Sequence, residues 1–263
     1  RYFMIRVENI SLEYDKGNPI LENVSFKVEA GQFVSLIGQS GSGKTSILRA
    51  IAGLQQPSKG KVTVEDLSSR VGFLFQDDAL LPWRTVRQNV SLGLRIQGEK
   101  TEVANKKADD WLEKLSLFEL GDRYPSQLSG GQRKRVAIAQ VLALHPKVIL
   151  MDEPFASLDA IVRTRITQEL IEWVEQEHIT VLLITHDLEE AISLSDVVHV
   201  LSPGPKAYIK SSHPVTIPRP RDILETRNDT SFAPLLKTLW NELVGERKKV
   251  NVVNFDKEKK LKA

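Results

Sequence analysis

The eight residues Gly38-Gln39-Ser40-Gly41-Ser42-Gly43-Lys44-Thr45 fit the pattern G-x-x-x-x-G-K-[ST] and have the chemistry to hold phosphate. Their glycines let the backbone curl until its N–H groups converge on an anion, and the helix that should follow points its positive end at the same place. Lys44 supplies a mobile cation for outer phosphates, and the Thr45 hydroxyl is a magnesium ligand. A second set lies far downstream. Val148-Ile149-Leu150-Met151 reads as a buried strand that delivers Asp152 and Glu153 at its carboxyl end, where open α/β sheets place their chemistry. There Asp152 can hold magnesium through its water shell, and Glu153 can polarise water for attack on a terminal phosphate. An adjacent Asp-Glu in isolation would be a solvated strand end; the phosphate loop gives the catalytic reading more weight.

A third set, Leu128-Ser129-Gly130-Gly131-Gln132, begins 84 positions after Lys44. Gly130-Gly131 opens a helical stretch, Gln132 to Leu144, so its N-terminal amides and the Ser129 hydroxyl form a second anion cradle facing outward. The phosphate already occupies the first cradle, and a second one in the same subunit would lie too far away. Two copies in antiparallel contact would close two sites at once through a self-complementary interface.

Together these sets resemble the nucleotide-binding subunit of an ABC transporter, a family whose signature is LSGGQ, and the resemblance covers roughly residues 1 to 215. It implies an α/β P-loop NTPase: a RecA-like core, an antiparallel β lobe and an inserted α-helical lobe. It also implies magnesium-dependent ATP hydrolysis coupled to transmembrane transport, with ATP and Mg2+ as cofactors. The implied partners are a second cassette (an identical copy or a related chain), transmembrane permease subunits and, indirectly, a solute-binding protein. The implied location is the cytoplasmic face of the cell membrane.

Carried over residue by residue, the resemblance assigns ATP contacts to Gly38 through Thr45 and to Ser46. Tyr14 matches the aromatic that stacks on adenine, an interaction worth about 1–3 kcal/mol per base. Gln76 matches the glutamine that touches magnesium and senses the membrane partner, so the metal set is Thr45, Gln76 and Asp152. His186 matches the histidine that contacts the γ-phosphate and joins Lys44 and Glu153 in the catalytic set. Ser129, Gly130, Gly131, Gln132 and Asp159 would act in trans, on the nucleotide of the second cassette. His145, His178, His199 and His213 lack such context and are read as surface or packing residues. Two departures stand out. Ala156-Ser157-Leu158-Asp159 places a hydroxyl one position later than the family's Ser-Ala-Leu-Asp, and Gln140 stands where many relatives have arginine.

Composition narrows the choice of function. At 263 residues and 41% hydrophobic the chain can bury a full core, and its zero cysteines exclude disulfides and thiolate metal sites. No apolar stretch approaches the roughly 20 residues that span a bilayer, and Arg1 to Ile10 alternates polar and apolar residues instead of presenting a signal-peptide core. Residues 247–263 hold seven Lys/Arg against two Asp/Glu, a balance of +5, which leaves −3 for residues 1–246. The body therefore lacks the positive charge that nucleic-acid binding requires. The basic tail is expected to be disordered and solvated, with attraction to an anionic membrane surface as the alternative.

Along the chain, strands are expected at Ile5-Arg6-Val7, Ser11 to Tyr14, Val24 to Val28 and Gly60 to Val64. The phosphate loop and a helix from Lys44 to Ala52, stopped by Gly53, interrupt them. Helical periodicity over Val86 to Ile96 and Val103 to Leu115 marks the helical lobe, about residues 77–145, inserted in an ATPase domain spanning 1–215. Leu80-Leu81-Pro82-Trp83 opens that lobe with apolar residues suited to docking a membrane partner; packing of Trp83 under its own lobe is the alternative. Beyond residue 215, Ile217-Pro218-Arg219-Pro220-Arg221 is an extended link. It leads into an extension, 216–246, in which Phe232, Leu235, Leu236, Leu239, Trp240 and Leu243 share one face of an amphipathic helix.

The stretch Leu-Pro-Trp-Arg-Thr-Val-Arg-Gln-Asn-Val at 81–90, Ser202-Pro203-Gly204-Pro205 and Pro-Arg-Pro-Arg at 218–221 resemble ATPases that energise uptake of nitrate, bicarbonate, taurine and other sulfonates. Import of a small oxyanion or sulfonate is the working expectation. Export is the nearest alternative, and a soluble ABC ATPase of DNA repair or translation is the rival from another class. The single cassette and the 84-residue spacing, without long coiled-coil inserts, disfavour that rival.

Overall fold

The computed structural model describes residues 3–13, 17–65 and 71–245. Its strands fall into two sheets. The smaller contains β1 (Phe3–Glu13), β2 (Pro19–Glu29) and β4 (Lys59–Val64), antiparallel in the order β2-β1-β4. The larger contains β3 (Phe33–Ile37), β5 (Val71–Leu74), β6 (Val148–Asp152), β7 (Thr180–Ile184), β8 (Val197–Leu201) and β9 (Ile209–Pro214). Their order is β5-β6-β7-β3-β8-β9, parallel except for the antiparallel β8–β9 pair.

The burial of each strand follows from its place. β3 and β7 are apolar almost throughout and buried at every position, as expected of parallel strands covered on both faces. The latter half of β2 alternates buried and exposed residues because one of its faces meets solvent. The segments expected at Ile5–Val7 and Ser11–Tyr14 form one strand instead, described as far as Glu13. The polar interruption, Glu8-Asn9, is a bulge: Asn9 has φ 50° and the pairing with β2 slips between Val7 and Ile10. Gly60 on β4 lies against it so closely that an added Cβ would stand 2.3 Å from the Asn9 carbonyl oxygen.

Helices cover the larger sheet. α1 (Lys44–Ile51) follows β3, and Gly53 at φ 74° ends its turn where expected. β5 and β6 are neighbours in the sheet, so the chain between them is an insertion, and it carries α2 (Val86–Ile96), α3 (Thr101–Lys114) and α4 (Gly130–Leu142). α2 starts at a capping box made by Thr85 and Gln88. Val90, Leu94, Ala108, Leu112, Ile138 and Leu142 from the three helices belong to one apolar core that continues onto the sheet through Ile149 and Met151. α5 (Ala160–Gln176) and α6 (Leu188–Leu194) follow β6 and β7.

The chain beyond β9 ends, among the described residues, in a helix over 232–245, α7. Phe232 and Leu239 bury against Ile37, Ile192 and Val200, joined by Leu235, Leu236 and Leu243 at the edge. Trp240 does not share that face: it is 58% exposed. One residue past fully buried Leu239, it is turned about 100° away around the helix, off the seam. No helix among the described residues is long and apolar enough to cross a membrane. Tyr14 and the basic residues 247–263 lie outside the described residues.

Candidate functional site

The phosphate loop joins the carboxyl end of β3 to the start of α1. Gly41 and Gly43 have φ 79° and 87°, and a Cβ on Gly43 would lie 2.7 Å from Leu21 Cδ2, so only glycine fits there. The Lys44 side chain folds back over the loop, where Nζ donates to the carbonyl oxygens of Gly38 (2.9 Å) and Gln39 (3.0 Å). Burial lowers its pKa, opposed by the negative charges of Glu153 and Asp152. The Ser42 hydroxyl is buried without a hydrogen-bond partner among the described residues. An unpaired donor among curled amides and beside a lysine fits a bound phosphate oxygen.

Thr45 Oγ1 donates to Asp152 Oδ1 at 3.2 Å, which links the first turn of α1 to the end of β6. Burial raises the Asp152 pKa, partly offset by that hydrogen bond. Among the described residues no three carboxylate or imidazole groups converge into a cage for a cation. A hydroxyl beside one carboxylate nevertheless suits magnesium, which keeps several waters and takes phosphate oxygens as ligands. Gln76 is exposed just past β5, the strand adjacent to the one that ends in Asp152.

The register of β6 against β7 sets the next contact. Asp152 pairs with Ile184, and Glu153 N–H donates to the Ile184 carbonyl at 2.9 Å. The residues just beyond the two strand ends therefore face each other, and Glu153 Oε2 lies 3.0 Å from His186 Nδ1. Glu153 has φ 43°, a left-handed conformation that costs a non-glycine residue on the order of 1–3 kcal/mol and is concentrated at functional sites. Behind His186, Thr185 Oγ1 donates to the Glu190 carboxylate and accepts from Asp187 N–H. Burial pushes the Glu190 pKa up to about 7.

The second cradle is built at the start of α4. Ser129 Oγ accepts from Gln132 N–H at 3.2 Å and the Gln132 side chain accepts from Ser129 N–H at 2.9 Å. Because the serine oxygen is used as an acceptor, its own proton stays available to an anion, as do first-turn amides that have no intrahelical partner. The two glycines differ. A Cβ on Gly131 would stand 2.8 Å from Val162 Cγ1 on α5, whereas one on Gly130 would meet nothing closer than Arg133 Nη2 at 3.8 Å. Packing among the described residues thus accounts for Gly131 but not for Gly130. The cradle lines an open cavity of 590 Å³ together with Arg135 and Asp159. Asp159 also caps α5, accepting from Val162 N–H at 3.0 Å.

The structure thus gathers Gly38–Ser46, Asp152, Glu153 and His186 at the carboxyl ends of β3, β6 and β7, and sets Ser129–Gln132 with Asp159 around a separate cavity. The four other histidines have structural surroundings. His199 is buried with Nδ1 2.7 Å from Ser212 Oγ, His213 meets Glu242, and His145 and His178 occupy left-handed turn positions. Three connections escaped the sequence reading. Lys134 is buried against the segment that carries Gln76; its place on an apolar stripe with Ile138 and Val141, at i, i+4 and i+7, was the available signal. Glu190 supports the His186 turn from five positions beyond Thr185, and Gln39 Nε2 donates to the Leu243 carbonyl of α7 at 3.3 Å, a pairing across 204 positions that has no local signal.

Comparison with known proteins gives the family and the fold. The family model described as ABC transporter matches residues 21–156. The nitrate import ATP-binding protein NrtD of Synechocystis sp. is 42% identical over 217 residues, covering 80% of this chain and 80% of that protein. The nitrate import ATP-binding protein NrtC of the same organism is 40% identical over 222 residues, covering 82% of this chain and 33% of NrtC, so the chain spans about a third of that relative's length. The dimeric post-hydrolysis structure of the ATP-binding cassette MJ0796, bound to ADP and Pi, superposes with a TM-score of 0.72 at 31% identity over 81% of this chain and all of that one. A phosphate loop, an acidic strand end and an outward-facing signature cradle on this fold place the chain in the ABC transporter family, as an α/β P-loop ATPase cassette.

Proposed function

We propose that this chain is the ATP-binding and hydrolysing subunit of an ABC importer for a small oxyanion or sulfonate, such as nitrate, bicarbonate or taurine. The observation that carries the catalytic part is the convergence of Lys44, Thr45, Asp152, Glu153 and His186 at the carboxyl ends of adjacent interior strands of the parallel sheet. Gly38 to Ser46 would wrap the phosphates, with Lys44 exchanging its two carbonyl partners for phosphate oxygens. Thr45, Asp152 and Gln76 would hold Mg2+, which neutralises phosphate charge when bound. Glu153 would orient and polarise the attacking water while His186, at 3.0 Å, fixes the carboxylate and reaches the γ-phosphate. Tyr14 would stack on adenine.

The trans half of the reading rests on Ser129 to Gln132 and Asp159. In a two-cassette assembly each chain would present this cradle to the partner's nucleotide, and loss of the γ-phosphate would loosen the seam. The solved cassette described as dimeric supports that arrangement. Trp83, 70% exposed at the head of the inserted lobe, supports a membrane partner at that surface and disfavours packing under the chain's own lobe. The chain would then work at the cytoplasmic face of the membrane, with permease subunits and a solute-binding protein selecting the cargo. Relatives named for nitrate import support the oxyanion class.

The test is reconstitution of the chain with its membrane and solute-binding partners in vesicles. Stimulated ATP turnover and uptake on adding nitrate, bicarbonate or taurine, but not an amino acid or sugar, is the expected outcome. Turnover that responds to none of these anions would remove the cargo assignment while leaving the ATPase assignment standing.

A further inference from the structure

Lys134 is fully buried, only two residues past the signature, and α4 turns it inward toward the neighbouring strand end. Its Nζ donates to Asp78 Oδ1 at 2.8 Å, to the Gln76 carbonyl at 3.1 Å and to the Phe75 carbonyl at 3.4 Å. An ammonium has three protons, and these three acceptors satisfy them. All three belong to the four residues 75–78, the segment that carries Gln76. Arg133 reinforces the grip, with Nε 3.4 Å from Asp78 Oδ2 and Nη1 donating to the Leu128 carbonyl at 2.7 Å.

Stability alone is a weak reason for this arrangement, because well-packed apolar residues often replace a buried ion pair at no loss. What the ammonium supplies is a directional link. One end of it is α4 just past its first turn, which carries Gly130 and Gly131 of the cradle, with Gly131 close against Val162. The other is the backbone of Gln76, just past the end of β5, the strand that neighbours the one ending in Asp152. We propose that Lys134 is a positioning residue: it ties Gln76, which serves the nucleotide bound by this chain, to the signature cradle that the same chain offers to a second cassette. The inference rests on the ATPase reading above and adds a specific coupling to it.

Full-length Lys134→Met, Lys134→Arg, Gln76→Ala and the Lys134→Met/Gln76→Ala double variant test it. Hydrogen exchange of the nucleotide-free chain should show faster exchange in residues 75–79 of Lys134→Met, with β7 unchanged. Binding of a fluorescent ATP analogue without Mg2+ should stay at the wild-type level. The Mg2+ concentration needed for half-maximal turnover should rise about tenfold, as for loss of a group that orients a metal ligand. Turnover should fall about 10–100-fold, as misplaced geometry predicts. Lys134→Arg should recover most of both, and the double variant should be no worse than Gln76→Ala alone, because the two changes act through one group.

Effects of Lys134→Met and Gln76→Ala that multiply would overturn the proposal, as would wild-type Mg2+ dependence in Lys134→Met. So would equal loss of metal-free nucleotide binding and of turnover, which marks a simple core lesion. If Lys134→Met does not fold, Asp78→Asn alone and combined with Gln76→Ala puts the same non-additivity to the test. Failure of the wild-type chain to bind or hydrolyse ATP in these assays would count against the ATPase reading itself and is visible without any variant.

Discussion

Glu153 Oε2 and His186 Nδ1 lie 3.0 Å apart although 33 positions separate them, because β6 and β7 are parallel neighbours whose carboxyl ends are in register. In the proposed reaction Glu153→Gln keeps the shape of the side chain and removes the base. Turnover should fall by about 10²–10⁴ with nucleotide affinity spared. Sedimentation of this variant with ATP should show a dimer; a monomer under those conditions would take away the simplest support for closure across two cassettes.

The two signature glycines should separate folding from assembly. Gly130→Ala adds a methyl group that would meet nothing closer than Arg133 Nη2 at 3.8 Å, so it should leave the melting temperature unchanged, and in the proposed two-cassette assembly it should lower turnover by intruding on the second cassette. Gly131→Ala forces a contact 2.8 Å from Val162 and should lower both. Thermal melts and steady-state ATPase assays on the pair decide it, and equal destabilisation by both would contradict the assignment of Gly130 to an interface.

Trp83→Ala removes an exposed ring and should leave folding and the basal turnover of the isolated chain intact. Stimulation by the membrane partner should disappear. Equal loss of basal and stimulated rates would show instead that the ring packs within the chain.

Glu190 has a pH signature. Burial raises its pKa from 4.5 to about 7, so the folded chain holds this proton more tightly than the unfolded one. Its contribution to stability is complete below about 4.5 and is lost as pH rises through about 7. Burial pushes His199 down to about 4 from 6.5, so its contribution is present above 6.5 and lost as pH falls through about 4. Glu190→Gln should remove only the first effect, and melting temperatures between pH 6.5 and 7 should decline less steeply than in the wild type. An unchanged slope would contradict the raised pKa of this buried carboxyl.

Within α7, Leu239→Ala should cost about 2–5 kcal/mol in denaturant unfolding, since the side chain is fully buried. Trp240→Ala should stay within about 0.5 kcal/mol, because its ring is largely exposed. Reversal of that order would restore the shared apolar face that spacing alone suggested.

What the sequence determined by itself were the features written in contiguous residues. The loop Gly38 to Thr45, the strand that ends in Asp152-Glu153 and the capped start of α4 are legible because backbone curl, buried apolar runs and helix caps are local physics. The bulge at Asn9 looked like a break between strands, since one sequence cannot show that Gly60 closes against it from β4. Strand order was equally hidden, and with it the meeting of Glu153 with His186 and of Thr45 with Asp152. Only tertiary structure decided that Lys134 would be buried against residues 75–78 and that Gln39 would reach Leu243. Each of those contacts joins residues from distant parts of the chain, and their energy exists only once packing has removed water from between them.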